Sequence, residues 1–217
     1  MIESAHGIVL RTRLLTETSL IVHWLTPKFG RIATVAKGAR RPKSLFVGKL
    51  DLFYEADFSF SRSRSSDLHH LREVNLRGTH APIRQDILKL QQAAYAAHFI
   101  EQATETEAPL PEIFGLLCDF LKFLCEQKTL PQNAPQNIFV LELKLLRELG
   151  LEPDFAESHL TPGAKKFVEL FLETDWTNLA RLKLAKPQII EIRQWLHGFL
   201  IFHLGKLPRG RNAALAS

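Results

Sequence analysis

Leu20-Ile21-Val22-His23-Trp24-Leu25-Thr26-Pro27-Lys28-Phe29-Gly30-Arg31-Ile32-Ala33-Thr34-Val35-Ala36-Lys37 is the stretch that decides the fold. Its first run sets Leu20, Val22 and Trp24 against Ile21, His23 and Leu25. Its second sets Ile32, Thr34 and Ala36 against Arg31, Ala33, Val35 and Lys37. Successive side chains of a strand point to opposite faces, so each run buries one row and turns the other outward. The break at Lys28-Phe29-Gly30, after Pro27, makes the two runs neighbours in an antiparallel sheet.

The same period extends to either side. Ile8, Leu10, Thr12 and Leu14 alternate with Val9, Arg11 and Arg13. Beyond a second break, from Gly38 to Gly48, one side carries Leu50, Leu52, Tyr54, Ala56, Phe58 and Phe60. The other carries Asp51, Glu55, Asp57, Ser59 and Ser61, with Phe53 among them, and a less regular fifth run covers Leu68 to Leu76. Five strands with edges to hide predict a small closed barrel, and periodicity does not separate an OB-fold from an SH3-like barrel.

After Pro82 the period lengthens to that of a helix. Ile83, Ile87, Leu90, Ala94 and Phe99 begin one helix. Pro111 opens another with Ile113, Phe114, Leu117, Phe120, Leu121 and Leu124 inside. A third starts near Pro135 with Ile138, Leu141, Leu145 and Leu149, and Gly150 is a natural stop. Thr161-Pro162 reads as an N-cap followed by proline at the first helical position. Pro187 opens a last helix through Ile190, Trp195, Phe199 and Phe202, all read as core, before Gly205. The chain is therefore expected to be α+β, with a five-stranded barrel domain over 1–80 and an all-helical domain over 81–217.

Composition excludes several classes. No apolar run approaches the ~20 residues of a membrane span. The stretch Met1 to His6 lacks the basic and apolar regions of a secretion signal, so the expected location is cytoplasmic. Cys118 and Cys125 lie two helical turns apart, ~10 Å along an axis, too far for a disulfide, and read as buried thiols. No close cluster of four ligands suggests zinc. The adjacent His69 and His70 point to opposite faces of a strand, and no cofactor is indicated.

Charge is distributed unevenly. The first eighty residues hold thirteen Lys and Arg against seven Asp and Glu; the remainder holds fifteen against sixteen. All of the excess lies in the first part, which favours a localised anionic partner. Lys37, Arg40, Arg41, Lys43 and Lys49 fall in one acid-free stretch, where Gly38 and Gly48 permit close backbone approach and Pro42 stiffens the middle. Arginine forks and lysine point charges are the usual partners of phosphate. Arg11, Arg13 and Arg31 extend the patch if their strands lie beside this turn. Phe29, Phe46 and Phe53 are candidates for base stacking, or else plugs of the barrel. Gly38 to Ser44 only loosely resembles a phosphate-binding P-loop, because Pro42 stands where a second glycine belongs. No catalytic motif is present, and no enzymatic activity is expected.

The segments Gly7-Ile8-Val9-Leu10, Glu17-Thr18-Ser19-Leu20-Ile21-Val22, Leu25-Thr26, Gly30 and Ala36-Lys37-Gly38-Ala39-Arg40-Arg41 resemble the opening of the bacterial DNA repair family RecO. Leu50 to Phe53 continues the likeness. Leu141 to Gly150 resembles the family's central helix, and Leu204-Gly205-Lys206 with Arg209 and Arg211 its C-terminal stretch. The resemblance implies an N-terminal OB-fold and a helical domain. It also implies binding of single- and double-stranded DNA, strand annealing, and help to RecA in replacing single-strand-binding protein, together with RecR. The acidic tail of single-strand-binding protein would meet the helical domain, where Lys144 and Arg147 are candidate contributors. Lys37, Arg40 and Arg41 match the family's DNA-contacting positions; Lys43, Arg11, Arg13 and Arg31 are added from charge and placement. Many relatives carry a four-cysteine zinc module after the central helix. Here Glu152 to His159 contains no cysteine, so a zinc finger is expected to be absent. The competing reading is a protein-interaction adaptor that binds nucleic acid only incidentally.

Overall fold

In the computed structural model, residues 2–128, 130, 135–153, 158–179 and 182–215 are described. The alternating runs become β1 (Ile2–Leu14), β2 (Leu20–Thr26), β3 (Gly30–Ala36), β4 (Glu55–Ser61) and β5 (Leu68–Gly78). They close into a barrel in the order β1-β2-β3-β5-β4. Neighbours run antiparallel except β3 and β5, which pair in parallel through Ala33–Leu68, Thr34–His69 and Val35–His70. This order is that of an OB-fold, which resolves what periodicity left open.

The predicted rows separate as alternation requires. Val9, Val22, Trp24, Ile32, Ala36, Phe58, Phe60, Leu71 and Val74 fill the interior. Trp24 stacks on Phe58 with ring centroids 4.1 Å apart, and its Nε1 donates to Thr34 Oγ1 at 2.9 Å. The Thr26 hydroxyl closes the β2–β3 turn, donating to the Gly30 carbonyl and accepting from the Phe29 amide, both at 3.0 Å.

One strand starts later than its pattern suggests. β4 begins at Glu55 rather than Leu50, because Phe53 takes a left-handed φ of 61°, which turns the chain at a buried side chain only 1% exposed. The corner is clamped to β1: Phe53 N donates to Val9 O at 2.8 Å and Val9 N donates to Tyr54 O at 2.9 Å. The ladder register slips at the same point, between Val9 and Arg11.

Two compact units divide the chain. The barrel unit takes residues up to Ala81 and also Thr104–Gly115; the second unit holds Pro82–Ala103 and the residues from Leu116 onward. A boundary drawn at 80/81 assigns 104–115 to the helical half, yet this segment straps onto the barrel. Arg31 donates to Thr104 Oγ1 at 2.8 Å and to its carbonyl, Glu107 N donates to Arg31 O at 2.9 Å, and Leu110 N to Pro27 O at 3.2 Å. Gly30 makes this approach possible: a Cβ there would lie 1.7 Å from the Ala108 carbonyl oxygen. Arg62 adds ion pairs to Glu3 at 2.9 Å and to Glu107 at 2.6 Å.

The remaining elements are α1 (Ala81–Arg84), α2 (Ile87–Ala103), α3 (Pro111–Glu126), α4 (Gln136–Glu148), α5 (Pro162–Glu173), α6 (Trp176–Leu179), α7 (Lys186–Leu204) and α8 (Arg211–Ala214). Within the second unit, Glu142 of α4 accepts from Arg211 at 2.7 and 2.9 Å and from the Tyr95 hydroxyl at 2.5 Å. All three side chains are buried, and desolvation together with the Glu142 carboxylate pushes the Tyr95 phenol well above its ordinary pKa. Thr161 caps α5 and Gly205, at φ 72°, ends α7, both as the sequence predicts.

Three helical expectations need correction. The first helix is split, because the Asp86 carboxylate caps α2 by accepting from the Leu88 and Lys89 amides, and Ile87 is left 70% exposed. On α7 the buried residues are Ile192, Leu196 and Leu200, whereas Ile190 and Phe202 face outward. Cys118 and Cys125 are half-buried rather than buried, with no disulfide between them. Residues 154–157, part of the stretch where a zinc module would begin, lie outside the described residues. Among the described residues no group of His, Cys, Asp or Glu could hold a metal, and no helix is long and apolar enough to cross a membrane.

Candidate nucleic-acid interface

The basic stretch leaves β3 at Lys37 and folds into successive tight turns. Arg41 N donates to Gly38 O and Ser44 N to Arg41 O, each at 3.0 Å, and Lys49 N donates to Phe46 O at 3.1 Å. Gly38 supplies the left-handed φ of 65° that starts the reversal. Phe46 pins the middle of the stretch by packing into the barrel core.

The result is an open cleft of about 660 Å³. One wall is Lys37, Gly38, Arg41, Lys43, Ser44, Leu45 and Phe46; the other is Val35 of β3 with His70, Leu71 and Arg72 of β5. None of these lining residues is acidic. Lys37, Arg41, Lys43 and Arg72 are exposed, so their charges are accessible to a ligand, and the His70 ring is exposed beside them. Arg72 Nε donates to Ser61 Oγ at 2.8 Å, which orients its guanidinium. His70 and Arg72 escaped sequence reading because they lie about thirty residues from the turn. Only the parallel β3–β5 pairing, Val35 against His70, brings them beside it.

The other predicted cations are placed differently. Arg40 donates from its backbone amide to Thr18 O at 3.0 Å and from its guanidinium to Glu17 O at 2.9 Å, tying the turn to the β1–β2 link. It is not among the residues lining the cleft. Arg11 and Arg13 stand on the outer face of β1, opposite His23 and Ile21. Ile21 pairs in turn with Val35, so Arg13 is two strand spacings, about 10 Å, from a wall of the cleft. Arg31 is engaged with Thr104. Between these three arginines sits His23, whose pKa is lowered to about 4, first by burial and then by Arg11, Arg13 and Arg31.

The aromatic candidates are structural. Phe29, Phe46 and Phe53 are 8%, 9% and 1% exposed, and Phe29 packs edge-on against Phe60. Base stacking on Phe29 or Phe53 is therefore excluded by burial, whereas Phe46, also buried, still lines the cleft. On the helical side, Lys144 donates to Leu172 O at 3.0 Å, with its pKa lowered by burial, and Arg147 lies 3.6 Å from Glu173.

The strand order places the chain among the OB-fold proteins, here with a cleft lined by Lys37, Arg41, Lys43 and Arg72 and by no acidic residue. Its relationships are narrower than that class. The family described as Recombination protein O N terminal matches residues 1–80, and that described as Recombination protein O C terminal matches residues 84–161. The chain belongs to the RecO family of DNA repair proteins. It is 32% identical over 153 residues to DNA repair protein RecO of Exiguobacterium sibiricum, covering 70% of this chain and 59% of that protein. It is also 32% identical over 155 residues to the protein of the same name from Bacillus subtilis, covering 71% and 58%, and over 151 residues to that of Listeria monocytogenes, covering 70% and 57%. The match thus spans less than two thirds of the length of these relatives.

Proposed function

We propose that this chain is a recombination mediator without chemistry of its own. It binds single- and double-stranded DNA through the barrel cleft, anneals complementary strands, and with RecR assists RecA loading onto DNA covered by single-strand-binding protein. Its place of action is the cytoplasm, where the DNA lies. The observation that carries the reading is the convergence of Lys37, Arg41, Lys43 and Arg72 in one cleft without a carboxylate. Cations gathered from a turn and a distant strand, with no ion pair to satisfy among the described residues, suit the regular spacing of phosphates. Arg13 and Arg11 extend the track along β1, whereas Arg40 and Arg31 hold the surrounding backbone in place. Family membership supports the roles in annealing and RecA loading and the partnership with RecR and the single-strand-binding-protein tail.

The test is DNA binding across a salt series with the triple variant Lys37→Glu, Arg41→Glu, Lys43→Glu. The expected slope of log K against log salt on single strands flattens by about 2, at ~0.7 per lost phosphate contact. Annealing of complementary oligonucleotides is expected to slow in parallel. A triple variant with wild-type slope and affinity would falsify the cleft assignment.

A further inference from the structure

The cleft has an apolar lip. Leu45 is 77% exposed and Val47 56% exposed, while Phe46 between them is buried. The lip is braced: Phe46 N donates to Ser44 Oγ at 3.2 Å, Val47 N to Ser44 O at 3.3 Å, and Lys49 Nζ to Val74 O at 3.1 Å. Each of these bonds fixes the backbone so that Leu45 and Val47 project while Phe46 anchors. Leu45 lines the cationic cleft and Val47 follows two residues on, and both side chains stand exposed rather than packed in the barrel core.

A ligand that suits such a rim must offer negative charge and apolar surface within a few ångströms of each other. A single-stranded nucleic acid does so, because every nucleotide carries a phosphate and a base with an uncovered face. A duplex hides those faces in its stack. We propose that Leu45 and Val47 contact the faces of unstacked bases in a single strand whose phosphates lie along Lys37, Arg41, Lys43 and Arg72. This rests on the cleft holding DNA phosphate, and adds how single strands are told from duplex. Contact with a base face leaves the pairing edge turned outward, so a held strand stays open to its complement.

The experiment uses the full chain and three fluorescent probes of equal length: a mixed-sequence single strand, an abasic single strand and a duplex. Wild type is expected to bind the base-bearing strand about tenfold more tightly than the abasic one, two aliphatic contacts together giving no more than one base–aromatic stack. The pair Leu45→Ser, Val47→Ser is expected to erase that difference, its loss on the base-bearing strand exceeding any loss on the abasic strand or the duplex. Leu45→Phe is expected to restore discrimination in the Val47→Ser background. Equal wild-type binding to base-bearing and abasic strands overturns the proposal, as does an equal loss by the serine pair on both. Retained base discrimination by the serine pair, with loss of binding to vesicles of anionic lipid, also overturns it and reassigns the lip to a membrane surface. The reading of the cleft fails separately, if Lys37→Glu, Arg41→Glu, Lys43→Glu leaves abasic-strand binding intact.

Discussion

Two groups of cations occupy the same barrel and differ in what surrounds them. Lys37, Arg41 and Lys43 stand exposed in a turn and line an open cleft with Arg72. Arg11, Arg13 and Arg31 crowd a half-buried histidine on the outer sheet face, and Arg31 is bonded to Thr104. Counting charge along the chain makes the groups look alike. The sharpest difference is between Arg31, whose guanidinium is held by the Thr104 hydroxyl and carbonyl, and the turn cations, which are exposed. A cation that holds a carbonyl of its own protein contributes chiefly to stability, and one that faces water can exchange counterions for phosphate.

The widest gap between the groups should come from charge reversal. The turn triple is expected to lose more than about 100-fold in single-strand affinity near ~0.15 M salt, and Arg11→Glu, Arg13→Glu about tenfold. Equal losses in a titration of both would erase the distinction drawn here. Arg31→Met sharpens the comparison from the other side. It should lower the barrel's unfolding free energy by about 1–3 kcal/mol, the cost of unpaired groups under the 104–115 strap, while changing DNA affinity by less than about threefold. A denaturant melt and a binding isotherm on one sample decide it, and a DNA defect as large as the turn triple's would move Arg31 into the binding group.

His23 reports on the second group through pH. Its folded pKa of about 4 is below the ordinary 6.5, so between these values the unfolded chain binds a proton that the folded chain does not. Its contribution to stability is therefore complete above pH ~6.5 and declines as pH falls toward ~4, with no further change below. His23→Gln should flatten that part of the stability profile; a profile identical to wild type would remove the His23 imidazole, shifted by burial and then by its arginine neighbours, as the cause. The smallest expected effect is Arg40→Ala, whose exposed bond to Glu17 O is worth about 0.5–1 kcal/mol. Thermal melting should register it with little loss of DNA affinity.

The sheet was legible because alternation is a local consequence of strand geometry, as Val22 and Trp24 inside with His23 outside demonstrate. The corner at Phe53 was not, because a single left-handed residue reverses a side chain without altering the pattern of residue types. The face of α7 was equally hidden. A helix apolar on almost every side carries no stripe to show which residues the neighbours will cover, so Phe202 reads as core and lies outside. The basic turn was visible from composition and spacing, whereas its partner residues on β5 were not.

By itself, the sequence determined that five strands precede a run of helices, where the positive charge concentrates, and which family the motifs resemble. These are properties of neighbours along the chain. Only the tertiary structure decided that the barrel closes with β3 parallel to β5, that Arg72 and His70 join the turn, and that Arg31 turns to a strap from beyond residue 100. Those are pairings between distant residues. Barrel closure and buried hydrogen-bond satisfaction select them, and neither leaves a periodic trace in the chain.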